Sequence, residues 1–258
     1  MIILAFREQF VNIDGQWAYI GQPKKSNGYG VIFLGGSMAF VSNNSSDWHE
    51  DLNKKALFHS LLEEGYTIGY SNAHGANFGN DTALQDIKNL HKYMVKETGI
   101  NFSVHLFAIS MGGLLALRLM RSVDFIQSVA FSQPLLNVKE QRKYENDYIK
   151  RNNLDMDDPT GHGIALSHEI DYSTVDAYID KTFALEKLAL APIPCKIWHS
   201  TGDENVPVEI NALPFVELRI KHKLQIALEV TPGVGHDKNG ACYSDHKGII
   251  QFFHQNEK

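Results

Sequence analysis

The sequence predicts an α/β fold, a mostly parallel central sheet with helices on both faces. Two observations predict it. Short apolar runs with β-branched residues alternate with longer segments whose apolar residues recur at helical spacing. Several of the short runs lack polar alternation, the pattern of strands buried on both faces.

The elements follow in order. Asp14-Gly15 separates extended runs at 7–13 and 16–20 and favours a tight hairpin turn, so an antiparallel pair opens the chain. Residues 1–7 read as strand and not as a leader peptide, since no basic stretch or small-residue cleavage site accompanies them. Residues 29–34 form a buried strand ending at Gly35-Gly36. Residues 48–64 form an amphipathic helix with Leu52, Ala56, Leu61 and Leu62 inward and Gly65 as its stop. A strand at 66–70 precedes a helix at 81–97, with Asp81 as N-cap, Ala83, Ile87, Leu90 and Met94 on one face, and Gly99 as stop. Strand 104–109 runs straight into helix 111–120, which is apolar nearly all round and therefore buried. Strands follow at 126–131, 195–198 and 226–230, and a last helix at 244–254 turns Ile249, Ile250 and Phe253 inward. Residues 135–190 break this rhythm, being polar, acidic and rich in Asn, Asp and Tyr. They read as a cap inserted over the strand ends, or else as a peripheral insertion. The whole chain, 1–258, reads as one domain carrying that insertion.

Composition narrows the function classes. A formal net charge of -6 argues against nucleic acid or anionic membrane as the main partner. No apolar run approaches membrane-spanning length, so no membrane insertion is expected. Cys195 and Cys242 have no metal-ligand spacing and read as thiols of a reducing, cytoplasmic compartment.

The chemistry concentrates at Phe107-Ala108-Ile109-Ser110-Met111-Gly112-Gly113. A buried strand breaks at a serine and turns at once into a buried helix. Such a turn needs small residues two before and two after the serine, here Ala108 and Gly112. A serine hydroxyl is a poor nucleophile without a base in hydrogen-bond reach and a partner to orient that base. Both have candidates after later strands. Asp203 lies in Gly202-Asp203-Glu204-Asn205-Val206-Pro207, and His236 lies in Gly233-Val234-Gly235-His236. Glu204 and Asp237 are the adjacent competitors. His199 reads as a loop-packing residue. His162 and His168, with Asp155, Asp157, Asp158 and Asp171, match no metal-site spacing, so no metal is expected.

The order Ser, Asp, His in these three contexts resembles the α/β-hydrolase superfamily, esterase- and lipase-like, with peptidase-like members close by. The resemblance covers the chain outside the insertion. It departs from Gly-x-Ser-x-Gly in having Ala108 first, as small bacterial lipases do. It implies Ser110 as nucleophile, His236 as general base and acid, and Asp203 as the orienting carboxylate. No cofactor is implied. The expected reaction is hydrolysis of a carboxylic ester or related acyl bond of a small-molecule substrate. A peptidase or amidase on the same residues, and a silent binding protein on the same fold, are the alternatives. The resemblance places one oxyanion N–H at Met111 and a second after strand 29–34. There Gly35 stands where relatives often have histidine, which makes Ser37 the donor, with Gly36 as the alternative. His74, in a loop like the segment lining the site in such enzymes, shapes a substrate pocket or serves only the turn. The aromatic residues of the insertion (Tyr144, Tyr148, Tyr172, Tyr178, Phe183) suggest an acyl group of moderate size, or simply pack the cap.

Overall fold

The computed structural model describes residues 6–236 and 242–257. Its sheet has eight strands in the order β1-β2-β4-β3-β5-β6-β7-β8. β1 (Phe6–Ile13) and β2 (Gln16–Pro23) pair antiparallel through a turn in which Asp14 and Gly15 both take positive φ, 49° and 93°. That is the conformation a two-residue Asp-Gly hairpin demands. β2 is also antiparallel to β4 (Thr67–Ser71). From there the sheet is parallel through β3 (Gly30–Leu34), β5 (Val104–Ile109), β6 (Ile126–Ser132), β7 (Cys195–Ser200) and β8 (Ile226–Thr231). Every residue of β3, β4 and β5 is buried, which explains why none of them shows polar alternation.

Alternate strand residues feed two cores, one on each face. Ile32, Leu34, Leu106 and Ala108 join the core that includes α3 (Asp81–Thr98), α4 (Gly112–Ser122) and α9 (Ala212–Lys221). Val31, Phe33, Phe107 and Ile109 join the core of α1 (Asp47–Glu50), α2 (Leu52–Glu63) and α10 (His246–His254). The expected helix 48–64 is thus two helices. Asp51 leaves helical geometry, at φ -94° and ψ 123°, and its carboxylate accepts the N–H groups of Asn53 and Lys54, starting a second helix. The break rotates Leu52 to the surface, 82 % exposed, and turns Leu57 and Phe58 inward. The N-cap of α3 is Asn80, whose side chain accepts Ala83 N–H, and not Asp81. Its anticipated apolar face is buried and Gly99 closes it in the left-handed conformation, at φ 72°.

Residues between β6 and β7 contain no strand. They form α5 (Val138–Arg151), α6 (Pro159–Ser167), a 3-10 turn at Tyr172–Thr174, α7 (Val175–Thr182) and α8 (Leu185–Leu188). Their inward residues Val138, Ile164, Val175, Ile179, Phe183, Leu185 and Leu188 belong to the same core as α3 and α4. Among the described residues no helix is long and apolar enough to cross a membrane. Cys195 and Cys242 are both buried, and burial pushes the Cys195 thiol up to about 12.

Candidate active site

Ser110 follows β5, in mid-sheet, with β3 on one side and β6 on the other. Its φ is +53°, a left-handed conformation that costs a non-glycine residue about 1 kcal/mol or more. Local bonds hold it there. Ser110 N–H donates to Ser132 O at 3.1 Å, and Ser110 O accepts Gly113 N–H at 2.9 Å and Leu135 N–H at 2.8 Å. The small-residue requirement is visible at Gly112, where a Cβ would fall 2.4 Å from Leu34 O and 2.8 Å from Gly35 O. Any side chain there would separate α4 from the end of β3.

Three loops at the carboxyl ends of β5, β7 and β8 bring three side chains together. His236 Nε2 lies 2.9 Å from Ser110 Oγ, and His236 Nδ1 lies 2.7 Å from Asp203 Oδ2. A carboxylate only accepts, so a neutral His236 carries its proton on Nδ1 and leaves Nε2 bare toward the hydroxyl. Asp203 is buried. Its Oδ1 accepts Asn205 N–H at 3.1 Å and Val206 N–H at 2.8 Å, and its Oδ2 also accepts from Gln133 Nε2 at 2.8 Å. The loops bearing Asp203 and His236 are tied by Ser200, whose hydroxyl donates to Val234 O at 2.6 Å and accepts Val234 N–H at 2.9 Å. Gly202 permits this contact, since a Cβ there would meet Gly233 C at 2.5 Å.

The competing residues are elsewhere. Glu204 is exposed, and its backbone carbonyl accepts the Tyr144 hydroxyl at 3.0 Å. Asp237 lies outside the described residues. His199 is buried with Nδ1 accepting Ser200 N–H at 2.8 Å, and burial holds its imidazole below the ordinary histidine range. His162 stacks on Tyr172 at 4.2 Å, and His168 bonds to the Tyr178 hydroxyl and Phe78 O. Among the described residues, no three His, Cys, Asp or Glu side chains converge as metal ligands.

Met111, the first residue past Ser110, has a backbone N–H with no acceptor among the described residues. Gly36 faces Ser110 from the end of β3. A Cβ on Gly36 would lie 3.2 Å from Ser110 Cβ and 3.6 Å from its Oγ. Ser37 is exposed in the turn closed by Ala39 N–H donating to Gly36 O at 3.1 Å. His74 lies on the other side, toward β2. Its Nδ1 is 2.6 Å from Asp86 Oδ2, and its Nε2 is 3.2 Å from the Gln16 side chain. It lines a cavity of about 750 Å³ with Phe78, Leu166, His168 and Tyr178. Gln133, whose side chain donates to Asp203, was not among the residues singled out from the sequence. Its position directly after β6, beside Ser110, was the available signal.

An eight-stranded, largely parallel sheet with helices on both faces matches known structures. The chain superposes on an acylaminoacyl peptidase of Pyrococcus horikoshii with a TM-score of 0.74 at 12% identity, covering 100% of this chain and 42% of that one. An esterase of Pyrococcus furiosus gives 0.67 at 17% identity, covering 98% and 91%. Est1E from Butyrivibrio proteoclasticus gives 0.66 at 18% identity, covering 96% and 98%. The chain has the α/β-hydrolase fold. It spans less than half the length of the acylaminoacyl peptidase. No family model matches the sequence, and no curated protein matches it. Within this fold the strand ends that carry Ser110, Asp203 and His236 form one edge, the edge where open α/β sheets bind ligands.

Proposed function

We propose that the protein is a serine hydrolase that cleaves a carboxylic ester or related acyl bond of a small substrate through an acyl-enzyme. One observation carries the reading. On a strained turn, Ser110 Oγ, His236 and Asp203 are linked by hydrogen bonds of 2.9 and 2.7 Å. In this reading His236 Nε2 takes the Ser110 proton as Oγ attacks the acyl carbon. The oxygen of the tetrahedral intermediate turns toward Met111 N–H and the N–H of Ser37 or Gly36. His236 then protonates the leaving alcohol, and water repeats the sequence in reverse to free the acid. Asp203 holds the imidazole in the required tautomer and stabilises its cation.

Residues 135–190 act as a cap in this scheme. α5 touches the acid's loop through Gln141 Nε2 to Asn205 O at 2.6 Å and Tyr144 to Glu204 O. A cavity of about 250 Å³ lined by Tyr144, Tyr148, Ile149, Leu154, Met156 and Glu204 lies beside it. Its lining mixes these aromatic and aliphatic side chains with Glu145, Glu204 and Asn205. The protein acts in the cytoplasm on a small molecule, without a cofactor. Amide cleavage is the second reading, favoured by the similarity to a protein named an acylaminoacyl peptidase.

Turnover of p-nitrophenyl esters of increasing chain length, compared with aminoacyl amides, tests both readings. Ser110→Ala should lower kcat by roughly three orders of magnitude or more with the fold intact. Retention of a tenth of wild-type turnover on the preferred substrate would contradict the proposal.

A further inference from the structure

The loop after β3 opens at Gly35, and the structure shows how tightly that residue is enclosed. A Cβ on Gly35 would fall 2.3 Å from Ala39 Cβ and 2.7 Å from the Tyr70 hydroxyl oxygen. Tyr70 belongs to β4, pairs with Phe33 of β3, and is buried. Its hydroxyl donates to Asp47 Oδ1 at 2.6 Å. The same carboxylate oxygen accepts Phe40 N–H at 3.2 Å, and Asp47 N–H donates back to Phe40 O at 3.3 Å. Lys54 Nζ, 3.3 Å from Asp47 Oδ2, completes the set. Burial pushes the Tyr70 phenol well above its ordinary range, so it stays protonated and keeps donating.

The loop from Gly35 to Phe40 is therefore clamped at both ends. Tyr70 fills the space beside Gly35, and Asp47 binds the backbone of Phe40. Between the clamps, the bond from Ala39 N–H to Gly36 O closes the turn that presents Gly36 and Ser37. Gly36 in turn lies against Ser110. We infer that Tyr70 and Asp47 are positioning residues that set where the Gly36-Ser37 backbone donors stand relative to Ser110. The inference rests on the serine-hydrolase reading. It assigns to the Tyr70–Asp47 bond an effect on the transition state, which carries the oxyanion, and little effect on substrate binding.

The test uses the full chain with p-nitrophenyl acetate and an aryl trifluoromethyl ketone as analogue of the tetrahedral state. Tyr70→Phe keeps the ring packed against Trp48 and removes only the hydroxyl. It should lower kcat by about 10- to 100-fold and weaken the ketone by a similar factor, as expected when one oxyanion donor is displaced. KM should stay within about twofold, since the lost interaction belongs to the transition state. Asp47→Ala, which also frees Phe40 N–H, should lower kcat at least as much, and the double variant should be no slower than Asp47→Ala alone, because the Tyr70 hydroxyl acts through Asp47. Gly35→His should impair kcat rather than improve it. A Tyr70→Phe enzyme with wild-type kcat and ketone affinity overturns the inference, even if its melting temperature has dropped. A wild-type protein unreactive toward a fluorophosphonate overturns the hydrolase reading and this inference with it.

Discussion

Asp203 is surrounded by four donors, His236 Nδ1, Gln133 Nε2, Asn205 N–H and Val206 N–H, at 2.7 to 3.1 Å. Asn205 and Val206 donate from the backbone of the acid's own loop and His236 belongs to the proposed machinery, so only the Gln133 side chain can be removed without touching either. Gln133 takes φ +42°, a strained conformation for its type, and its Nε2 also lies 3.3 Å from Gly235 O, one residue before His236. It thus spans the acid and the loop of the base. Gln133→Leu should leave Oδ2 with His236 as its sole remaining partner among these four. A hydrogen bond to a carboxylate contributes roughly 1.5–3 kcal/mol, so kcat should fall by about 10- to 100-fold with KM little changed. Steady-state kinetics on a single ester checks this, and an unchanged kcat would show that Asn205, Val206 and His236 suffice to hold the carboxylate.

At the scale of elements, the helices between β6 and β7 share one core with α3 and α4. Cutting them out would strip that core, so their role is tested better at the joint by which the chain returns to the sheet. There Arg219 of α9, wholly buried, donates to the carbonyls of Ala189 and Ala191 at 2.9 and 3.0 Å and to those of Ile193 and Gln225 at 2.5 and 3.0 Å. Arg219→Met keeps the apolar stem but strips the Ala189 and Ala191 carbonyls of this donor, while Gln225 O keeps Cys195 N–H and Ile193 O keeps the Cys195 thiol. Unsatisfied buried groups cost about 1–3 kcal/mol each, so a loss of about 2 kcal/mol or more in urea unfolding is expected. A loss below about 0.5 kcal/mol, the scale of ordinary surface substitutions, would mean that water replaces the guanidinium. This element was illegible in the sequence for a physical reason. Pro214 sits in the first turn of α9, and its inward face carries a charged residue, so hydrophobic periodicity fails. α5 was equally hidden, because only Val138 and Gln141 of its fourteen residues are buried. The strands and α3 were legible because burial on both faces, or on one stripe, writes itself directly into apolar spacing. Ser110, Asp203 and His236 could be singled out because each stands just past a strand in a glycine-marked turn. Gln133, Tyr70 and Asp47 stand in no glycine-marked turn, and the Tyr70–Asp47 and Gln133–Asp203 bonds join residues 23 and 70 positions apart.

The whole molecule holds several histidines below their ordinary range by burial: His91, His105, His168, His199 and His246. His105, the second residue of β5 and bonded to the Ser128 side chain, is pushed down to about 3 by burial. Its unfolded form binds a proton as pH falls through about 6.5, while the folded form stays neutral until about 3. Stability from this group is therefore full above about pH 6.5 and is lost on acidification between those values, by about 3 kcal/mol at pH 4. Urea unfolding across pH 4 to 7 should show stability falling toward acid, and His105→Gln should flatten that slope. An identical slope in the variant would show that His105 titrates alike in both states. The same whole-molecule view sets the decisive test of the site, because three distant loops must converge for Ser110 to react. That test is labelling of the intact protein by a fluorophosphonate, read by peptide mass spectrometry. A single adduct on Ser110, formed at least about 100-fold more slowly in His236→Ala, is the result this account predicts. No adduct, or an adduct on another residue at the same rate in both proteins, would contradict it.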